Sequence, residues 1–415
     1  MRRQGLRSLG WLAVTALAVG IVISRRPDAF TNPQFWAEDG AQWFQNAYNQ
    51  GPWQALFVSY QGHFLVQPRL VAVIASPFGV ANAPLIYNLF GLAFQVAPVL
   101  FFLSGRFRPV LPSLWVRGAL GAVYLLMPST EINVTVGAAQ FHLVLLATLV
   151  LIAPPSPRWG WRAFDAATVA LCALTGGFVY ILLPCALLWW CLRRQRWTGA
   201  LVLILAVGLV LQIWSLFLGP RGSYPLGASA SYLLLIVCDR VILAGLFAEE
   251  GTTHVFVSGL PHATVIAALV CLAALPVVLL ALLRAPWELR LFDLVAAGIA
   301  AAGLIEPLVS SAGNQWQIMA TTNSGERYFF MAQVAWVVTV LWAACLFPRR
   351  WLRGGAWALA AAAFASGLVA SWQYPPFVNY DWPAEAHAIE AAAPGTHVSV
   401  PINPGPPWEV SVKVH

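Results

Sequence analysis

Two adjacent carboxylates, Glu38 and Asp39, are the residues of this chain best suited to chemistry. They lie in the segment Trp-Ala-Glu-Asp-Gly, shortly after the first long apolar run. Carboxylates at a membrane surface are costly unless a cation, a proton or a metal ion meets them. We therefore assign the pair as candidate catalytic residues. A structural role is the alternative, because Asp before Gly also favours a turn or a helix start.

The rest of the first polar loop, residues 25–81, contains side chains that suit a sugar. Aromatic rings stack on pyranose faces, carboxylates accept hydroxyl protons, and Arg binds phosphate through parallel N–H groups. We predict that Trp36, Tyr60 and His63 bind substrate and that Arg69 is a ligand of the donor phosphate. Because Trp and Tyr also anchor proteins at membrane interfaces, simple interfacial packing stays open for the aromatic residues.

A second group of candidates lies farther along the chain. Arg327, just before a late apolar run, is the first choice for a donor-phosphate ligand, ahead of Arg69. Glu131 and Trp316 are candidate substrate-binding residues, and Glu306 is a candidate to line the same cavity. Acids in or beside membrane helices are functional hypotheses by default; capping of a helix is the structural alternative.

No cofactor is firmly indicated, but a divalent cation is a candidate. Glu249 and Glu250 stand close in sequence to His254. An acid pair beside one His still needs ligands from elsewhere, and a solvated loop is the alternative. There is also no Gly-rich phosphate loop of the kind that binds ATP.

The composition defines the class of protein. The chain has 415 residues, of which 60% are hydrophobic and 9% charged, and its mean hydropathy is +0.72. Because soluble domains carry about 25% charged residues, we predict an all-α polytopic membrane protein. The net charge of +7 comes from arginines in short loops and does not indicate nucleic acid as a partner. The six Cys show no disulfide or zinc spacing.

Hydropathy predicts about eleven transmembrane helices in a domain covering residues 1–371. Arginines cluster in alternate loops, which places those loops and the N-terminus in the cytoplasm. The loop 25–81 and the tail 372–415 then lie outside, and alternation in 397–402 and 410–414 predicts short strands in the tail. The predicted spans are 8–24, 82–103, 113–128, 136–153, 165–176, 177–192, 198–218, 262–283, 291–311, 328–347 and 354–371.

Two apolar stretches, 62–80 and 231–247, contain charged residues in mid-run. Counting either as a span would invert the arginine pattern downstream, so we predict amphipathic or re-entrant helices on the outer face. The spans 165–176 and 177–192 are short and meet at two glycines. The same arginine pattern favours two short helices there over one long helix.

This arrangement resembles the GT-C glycosyltransferases, in particular bacterial members that use a polyprenyl-phosphate-linked monosaccharide. The resemblance rests on the first-loop acids, the helix with a Pro-Arg step at Pro68 and Arg69, the many spans with short cytoplasmic loops, and the segment around Arg327. It covers the architecture of most of the chain.

The resemblance implies an inverting transfer on the extracytoplasmic face, from a polyprenyl-phosphate sugar to an envelope glycan, glycolipid or protein acceptor. By position, Asp39, or failing it Glu38, would be the base, and Arg327 would bind the donor phosphate. Many members have a spaced Asp-x-Asp motif, whereas this chain has adjacent acids. The identity of the base and the need for a metal ion therefore stay open.

Other classes are weighed against this interpretation. A transporter or flippase of an envelope precursor would have charges in mid-span and repeated halves, and a membrane acyltransferase would need a catalytic His, for which His142 is the candidate. An assembly factor has no excluding motif. Abundant Ala, Gly and Arg with a single Lys suggests a GC-rich bacterial genome, so we expect a multi-pass protein of the bacterial inner membrane.

Overall fold

A computed structural model describes residues 2–219, 221–248, 260–311 and 313–415, with side chains from residue 9 onward. The described chain is mostly helical and has one β-hairpin near its C-terminus. The longer helices are Arg2–Arg25, Ala83–Leu103, Leu114–Leu126, Gln140–Ile152, Trp159–Ala173, Val179–Arg193, Arg196–Ser215, Ala263–Arg284, Trp287–Ile305, Phe330–Ala344 and Arg350–Ala370.

Six of the described helices are long and apolar enough to cross a membrane. They are Ala83–Leu103, Gly176–Arg193, Arg196–Ser215, Ala230–Phe247, Ala263–Arg284 and Arg350–Ala370. Four shorter apolar helices accompany them: Leu9–Arg25, Leu114–Leu126, Gln140–Ile152 and Phe330–Ala344. Many large apolar side chains on these helices are exposed, as a hydrocarbon solvent permits. The chain is therefore a helical protein of the lipid bilayer, as its composition predicts.

The two ends of the helical bundle differ in character. At one end Arg106 pairs with Asp165 and Arg193 pairs with Glu288, which brings four helix ends together. We call this the arginine end, and the opposite end, around Asp39, the acidic end.

Short elements of the first loop and the tail pack together over the acidic end. In the loop they are Asp28–Thr31, the π-helical turn Asp39–Phe44, Gln45–Gln50, Pro52–Ala55, Val66–Ala75 and Ser76–Phe78. In the tail, helix Trp382–Ala391 is followed by β1 (His397–Pro401) and β2 (Glu409–Lys413), which pair antiparallel with Val400 opposite Val410. The two predicted tail strands are thus confirmed. Buried Trp382 donates to the Val80 carbonyl (3.0 Å) and fixes the tail to the loop.

The chain turns at Gly176-Gly177, as predicted. Helix Trp159–Ala173 ends there, and Val179–Arg193 begins after the 3-10 turn Gly176–Phe178. The turn is pinned by the Gly176 N–H, which donates to the Phe64 carbonyl (2.9 Å). The prediction of two helices is confirmed.

The two stretches expected to be re-entrant differ from each other. In 62–80 the helix Val66–Ala75 has only ten residues, too few to cross a bilayer. In 231–247 the structure has one continuous helix, Ala230–Phe247, with a π-helical middle turn, and it has the length and apolar composition of a span. Arg240, the charge in the middle of this stretch, is buried and donates to the Met319 carbonyl (3.2 Å), so it does not face lipid.

Candidate functional site

The acid pair is positioned by the tail. The Ala37 N–H donates to the Asn403 carbonyl (2.6 Å), and the Asn403 N–H donates to the Phe35 carbonyl (3.2 Å). Gly40 sits so close to the tail that an added Cβ would lie 2.7 Å from Ile402 Cδ1 and 2.9 Å from Val410 Cγ2. Only glycine permits this approach.

Asp39 is the buried member of the pair and is 2% exposed. Its two carboxylate oxygens accept hydrogen bonds from the backbone N–H groups of Val136 (2.9 Å) and Gly137 (2.6 Å). Burial raises the pKa of Asp39 from 3.8 to about 7; the hydrogen bonds oppose this rise, and the Glu38 charge adds to it. Asp39 therefore fixes the irregular segment before helix Gln140–Ile152.

Glu38 is the accessible member. It is half-buried and forms no hydrogen bond or ion pair with any residue that the structure describes. Its Cβ lies beside Gly137, and its charge acts on Arg327. Burial and the Glu38 charge raise the pKa of Tyr60. Of the two acids, Glu38 is the one that can meet a ligand.

Arg327 and Glu131 form an ion pair at the same place, with a separation of 3.0 Å. The guanidinium also donates to the Leu308 carbonyl (2.6 Å), and Glu131 accepts from the Gly325 N–H (2.9 Å). The side chains are 26% and 23% exposed, so each keeps a free face. Burial opposes the charged form, yet Tyr328, Glu131 and Glu38 raise the pKa of Arg327, which stays a cation.

Arg221 is a second partly exposed arginine at the acidic end, and our sequence analysis did not single it out. It donates to His63 Nε2 (2.8 Å) and to the Glu306 carbonyl (2.7 Å), and it lies 3.4 Å from the Glu306 carboxylate. A signal was present, because the predicted topology places residue 221 in an outer loop, where an arginine is an exception to the positive-inside rule. Arginines at such positions need a specific reason.

His63 serves Arg221 in this arrangement. Arg can only donate, so His63 Nε2 accepts and the ring proton is on Nδ1. Burial and the Arg221 charge lower the pKa of His63 to about 4, which leaves the imidazole neutral. The side chain predicted to bind substrate therefore orients an arginine.

The two guanidinium groups are anchored close together. Arg221 binds the carbonyl of Glu306 and Arg327 binds the carbonyl of Leu308, two residues further on. The Arg327 charge also acts on Tyr60, as does that of Glu38. The acidic end thus brings one unpaired carboxylate, two anchored arginines and a tyrosine into one neighbourhood, where they can bind a polar, anionic ligand.

Three predicted site residues lie elsewhere. Arg69 is 1% exposed and donates to the Ala55 carbonyl (2.7 Å), so it has no surface for a donor phosphate. Trp316 donates to the Leu304 carbonyl (2.8 Å) and packs in a separate apolar cluster. Trp36 stacks on Phe377 at 5.4 Å. The sequence predicts the roles of these residues from their position in loops. That position does not distinguish a solvent-exposed side chain from a buried one.

Metal ligands are not assembled in the described part of the chain, where no three His, Cys, Asp or Glu side chains converge. The candidate cation ligands Glu249, Glu250 and His254 lie outside the described residues. Glu306 is exposed and pairs with Arg221 at the edge of the site.

An apolar cavity of about 290 Å³ opens between helices nearer the arginine end. Its lining is almost wholly hydrocarbon and aromatic and includes Phe107, Leu149, Phe292 and Trp357. It lacks the donors and acceptors that a sugar headgroup requires. This cavity is therefore not a candidate site for a sugar headgroup.

Comparison of the chain with models of protein families, with curated proteins and with solved structures gave no match.

Proposed function

We propose that the protein is a membrane glycosyltransferase that moves a monosaccharide from a polyprenyl-phosphate donor to an envelope glycan, glycolipid or protein acceptor. The observation that carries the proposal is the grouping of unpaired Glu38 with Arg327 and Arg221 at one end of an apolar bundle. A lipid-linked donor supplies what this site suits: a phosphate for the arginines and a tail for the bilayer.

Glu38 is proposed as the general base, in place of Asp39. Both oxygens of Asp39 are bound to backbone N–H groups and the residue is buried, whereas Glu38 is half-buried and unpaired. A base must come within hydrogen-bond reach of the proton that it removes. Asp39 then serves as a positioning residue that fixes segment 131–139 beside Glu38.

The reaction needs few groups. The acceptor oxygen attacks the anomeric carbon as its proton passes to Glu38, and the bond between that carbon and the phosphate oxygen breaks with inversion. The electron pair leaves on the polyprenyl phosphate, whose charge Arg327 and Arg221 stabilise. No general acid is required, because a phosphate monoester leaves without a proton.

We also propose eleven crossings, with the N-terminus in the cytoplasm and the tail outside. Helix Arg196–Ser215 ends at the acidic end, where Ser215 donates to the Gly62 carbonyl (2.8 Å), while Ala263–Arg284 ends next to Glu288 at the arginine end. Both flanks of Ala230–Phe247 therefore start from the acidic end. That helix enters the bilayer without completing a crossing.

The orientation is tested by cysteine labelling in a background without the native cysteines. Gly105→Cys lies in an exposed loop at the arginine end, and Ala384→Cys lies exposed on the tail helix. An impermeant reagent applied to intact cells should label position 384 only. Labelling of 105 alone would invert the orientation and place the acidic end in the cytoplasm.

The activity is tested with purified protein, a panel of polyprenyl-phosphate monosaccharides and an envelope-lipid extract, by measuring release of polyprenyl phosphate. We expect release by the wild type and its loss in Glu38→Gln, while Glu288→Gln, at the arginine end, retains it. Loss in Asp39→Asn only would return the base role to Asp39. No release with any donor would favour a transporter or flippase of such a precursor.

A further inference from the structure

A buried polar cluster lies behind Asp39, away from the exposed site. It consists of Trp43, Gln67, Arg69 and Tyr87, contributed by three separate helical elements. All four residues are at most 2% exposed. Each has a polar atom without a hydrogen-bond partner in the described part of the chain: Trp43 Nε1, Gln67 Oε1, Arg69 Nε and Nη2, and Tyr87 Oη. Such groups are rare in protein interiors, and several together call for a common explanation.

These atoms are neighbours. The guanidinium carbon of Arg69 is 5.1 Å from the centre of the Trp43 ring. A Cβ placed on Gly137 would lie 3.1 Å from both Asp39 Oδ1 and Trp43 Nε1. The charges of Asp39 and Arg69 both act on the Tyr87 hydroxyl. Tyr87 therefore lies near both a buried carboxylate and a buried guanidinium.

Gln67 connects the cluster to the segment that Asp39 holds. Its side-chain N–H donates to the Val136 carbonyl (3.2 Å), while the Val136 N–H donates to Asp39 (2.9 Å). The amide oxygen of Gln67 is left over as an acceptor. The cluster thus contains several free donors and one free acceptor around one peptide unit of the site.

Arg69 is a buried cation with few direct partners. Arg69 remains a cation at neutral pH, since burial lowers its pKa only to about 10. A buried charge without a partner costs several kcal/mol, and its guanidinium makes a direct bond only to the Ala55 carbonyl. The ionised form of Asp39 supplies the nearby buried anion. A water molecule needs two to four polar partners, and the free donors and acceptor here supply them.

We propose that the cluster encloses ordered water that links Arg69 through Tyr87 to Asp39, forming a buried, water-bridged ion pair. Arg69 is then a positioning residue for the acid pair. This inference does not depend on the transfer reaction, because it concerns the balance of two buried charges.

A double-mutant cycle tests the link. Arg69→Met and Asp39→Asn should each lower the Tm of the detergent-solubilised protein. The decrease in Tm of the double variant should be smaller than the sum of the two single decreases, by about 2 °C or more. The reason is that each single change leaves the other charge unbalanced. Arg240→Met is the matched control: it removes a buried guanidinium bound to the Met319 carbonyl, and should be additive with Asp39→Asn. Additivity for Arg69 as well would overturn the proposal.

A second measurement separates this role from simple packing. Glu38 on the same segment and Tyr87 on helix Ala83–Leu103 are titratable groups that interact electrostatically with Asp39. The Arg69 guanidinium lies over the Trp43 ring and also acts on Tyr87, and the tail packs on neighbouring Gly40 through apolar Ile402 and Val410. Infrared titration of the Asp39 carboxyl band, identified by its loss in Asp39→Asn, should show a midpoint raised by about one pH unit in Arg69→Met. Arg69→Lys, which keeps the charge, should stay near the wild type. Equal titration midpoints in the wild type, Arg69→Met and Arg69→Lys would rule out the link between Arg69 and Asp39. An unchanged Asp39 carboxyl band in Tyr87→Phe would also rule it out.

Discussion

Two arginine–carboxylate pairs, one at each end of the bundle, have the same chemistry and different surroundings. At the arginine end, Arg106 and Asp165 are 7% and 1% exposed. Both oxygens of that carboxylate accept from the guanidinium, at 3.1 and 3.0 Å, and Trp197 donates to it as well (3.2 Å). At the acidic end, the side chains of Arg327 and Glu131 are 26% and 23% exposed.

The two ion pairs differ in whether they can still bind a ligand. Asp165 has its partners supplied by the fold and is closed to solvent, so the pair can only join loop 104–113 to helix Trp159–Ala173. Arg327 is anchored by a carbonyl and an acid, yet retains an open face toward unpaired Glu38. An ion pair indicates a site when some of its bonding capacity is still available.

The largest expected effect concerns the partly exposed pair of Arg327 and Glu131. Arg327→Met should lower kcat/KM for transfer about 1000-fold, equivalent to about 4 kcal/mol of transition-state stabilisation. Its Tm should change little, because the guanidinium is partly solvated. Arg327→Lys keeps the charge but loses the paired N–H donors of the guanidinium. Its kcat/KM should lie between those of the wild type and Arg327→Met. If Arg327→Met transfers at the wild-type rate, the acidic end is not the site of phosphate binding.

The buried pair of Arg106 and Asp165 should affect stability and leave activity unchanged. Arg106→Met leaves Asp165 buried without its cation, which should cost about 3–5 kcal/mol of stability. Activity per folded molecule should be unchanged. Adding Asp165→Asn should restore part of the lost Tm, since the unpaired charge is removed. A loss of specific activity without a loss of Tm would mean that the two ends are not separate in function.

Gly40→Ala tests how closely the tail must approach the acids. The added methyl group would meet Ile402 and Val410 within 3 Å, and such overpacking costs about 1–3 kcal/mol. Transfer should fall as well, because Glu38 moves with its backbone. Gly105→Ala is the control, since nothing lies within 4 Å of its new carbon. Equal Tm values for the two variants would contradict the close packing.

The smallest effect concerns pH. Because the pKa of Asp39 is raised from 3.8 to about 7 by burial, the folded protein retains a proton that the unfolded chain releases between those values. Its contribution to stability is complete below about pH 4 and is lost as the pH rises through 7. The Tm of the wild type should therefore fall more from pH 5 to pH 8 than that of Asp39→Asn. Parallel curves would show that Asp39 is not protonated on folding.

Much of the fold could be predicted because hydropathy and arginine position are properties of the chain itself. The break at Gly176-Gly177 and the tail strands both follow from local patterns. The length and continuity of helix Ala230–Phe247 could not be predicted, because Arg240 in its middle has its partner in a distant carbonyl. Local sequence contains no record of such a partner.

The site was predictable in residue type and less so in role. Glu38, Asp39, Glu131 and Arg327 do come together, but which acid is buried depends on backbone N–H groups about one hundred residues away. Arg69 was assigned to a phosphate because it follows Pro68 in an outer helix, whereas it is buried beneath the site. Burial arises from packing between elements, which spacing alone does not express.

The bond between Ala37 and Asn403 gives the biosynthesis of this protein an order. The ribosome produces the acid pair before the tail segment that holds it. Until the tail is made, Gly40 has no Ile402 or Val410 to pack against. The helices between the two segments can thus insert while the acids are still without their tail contacts, and the acidic end is completed only after the tail has been synthesised.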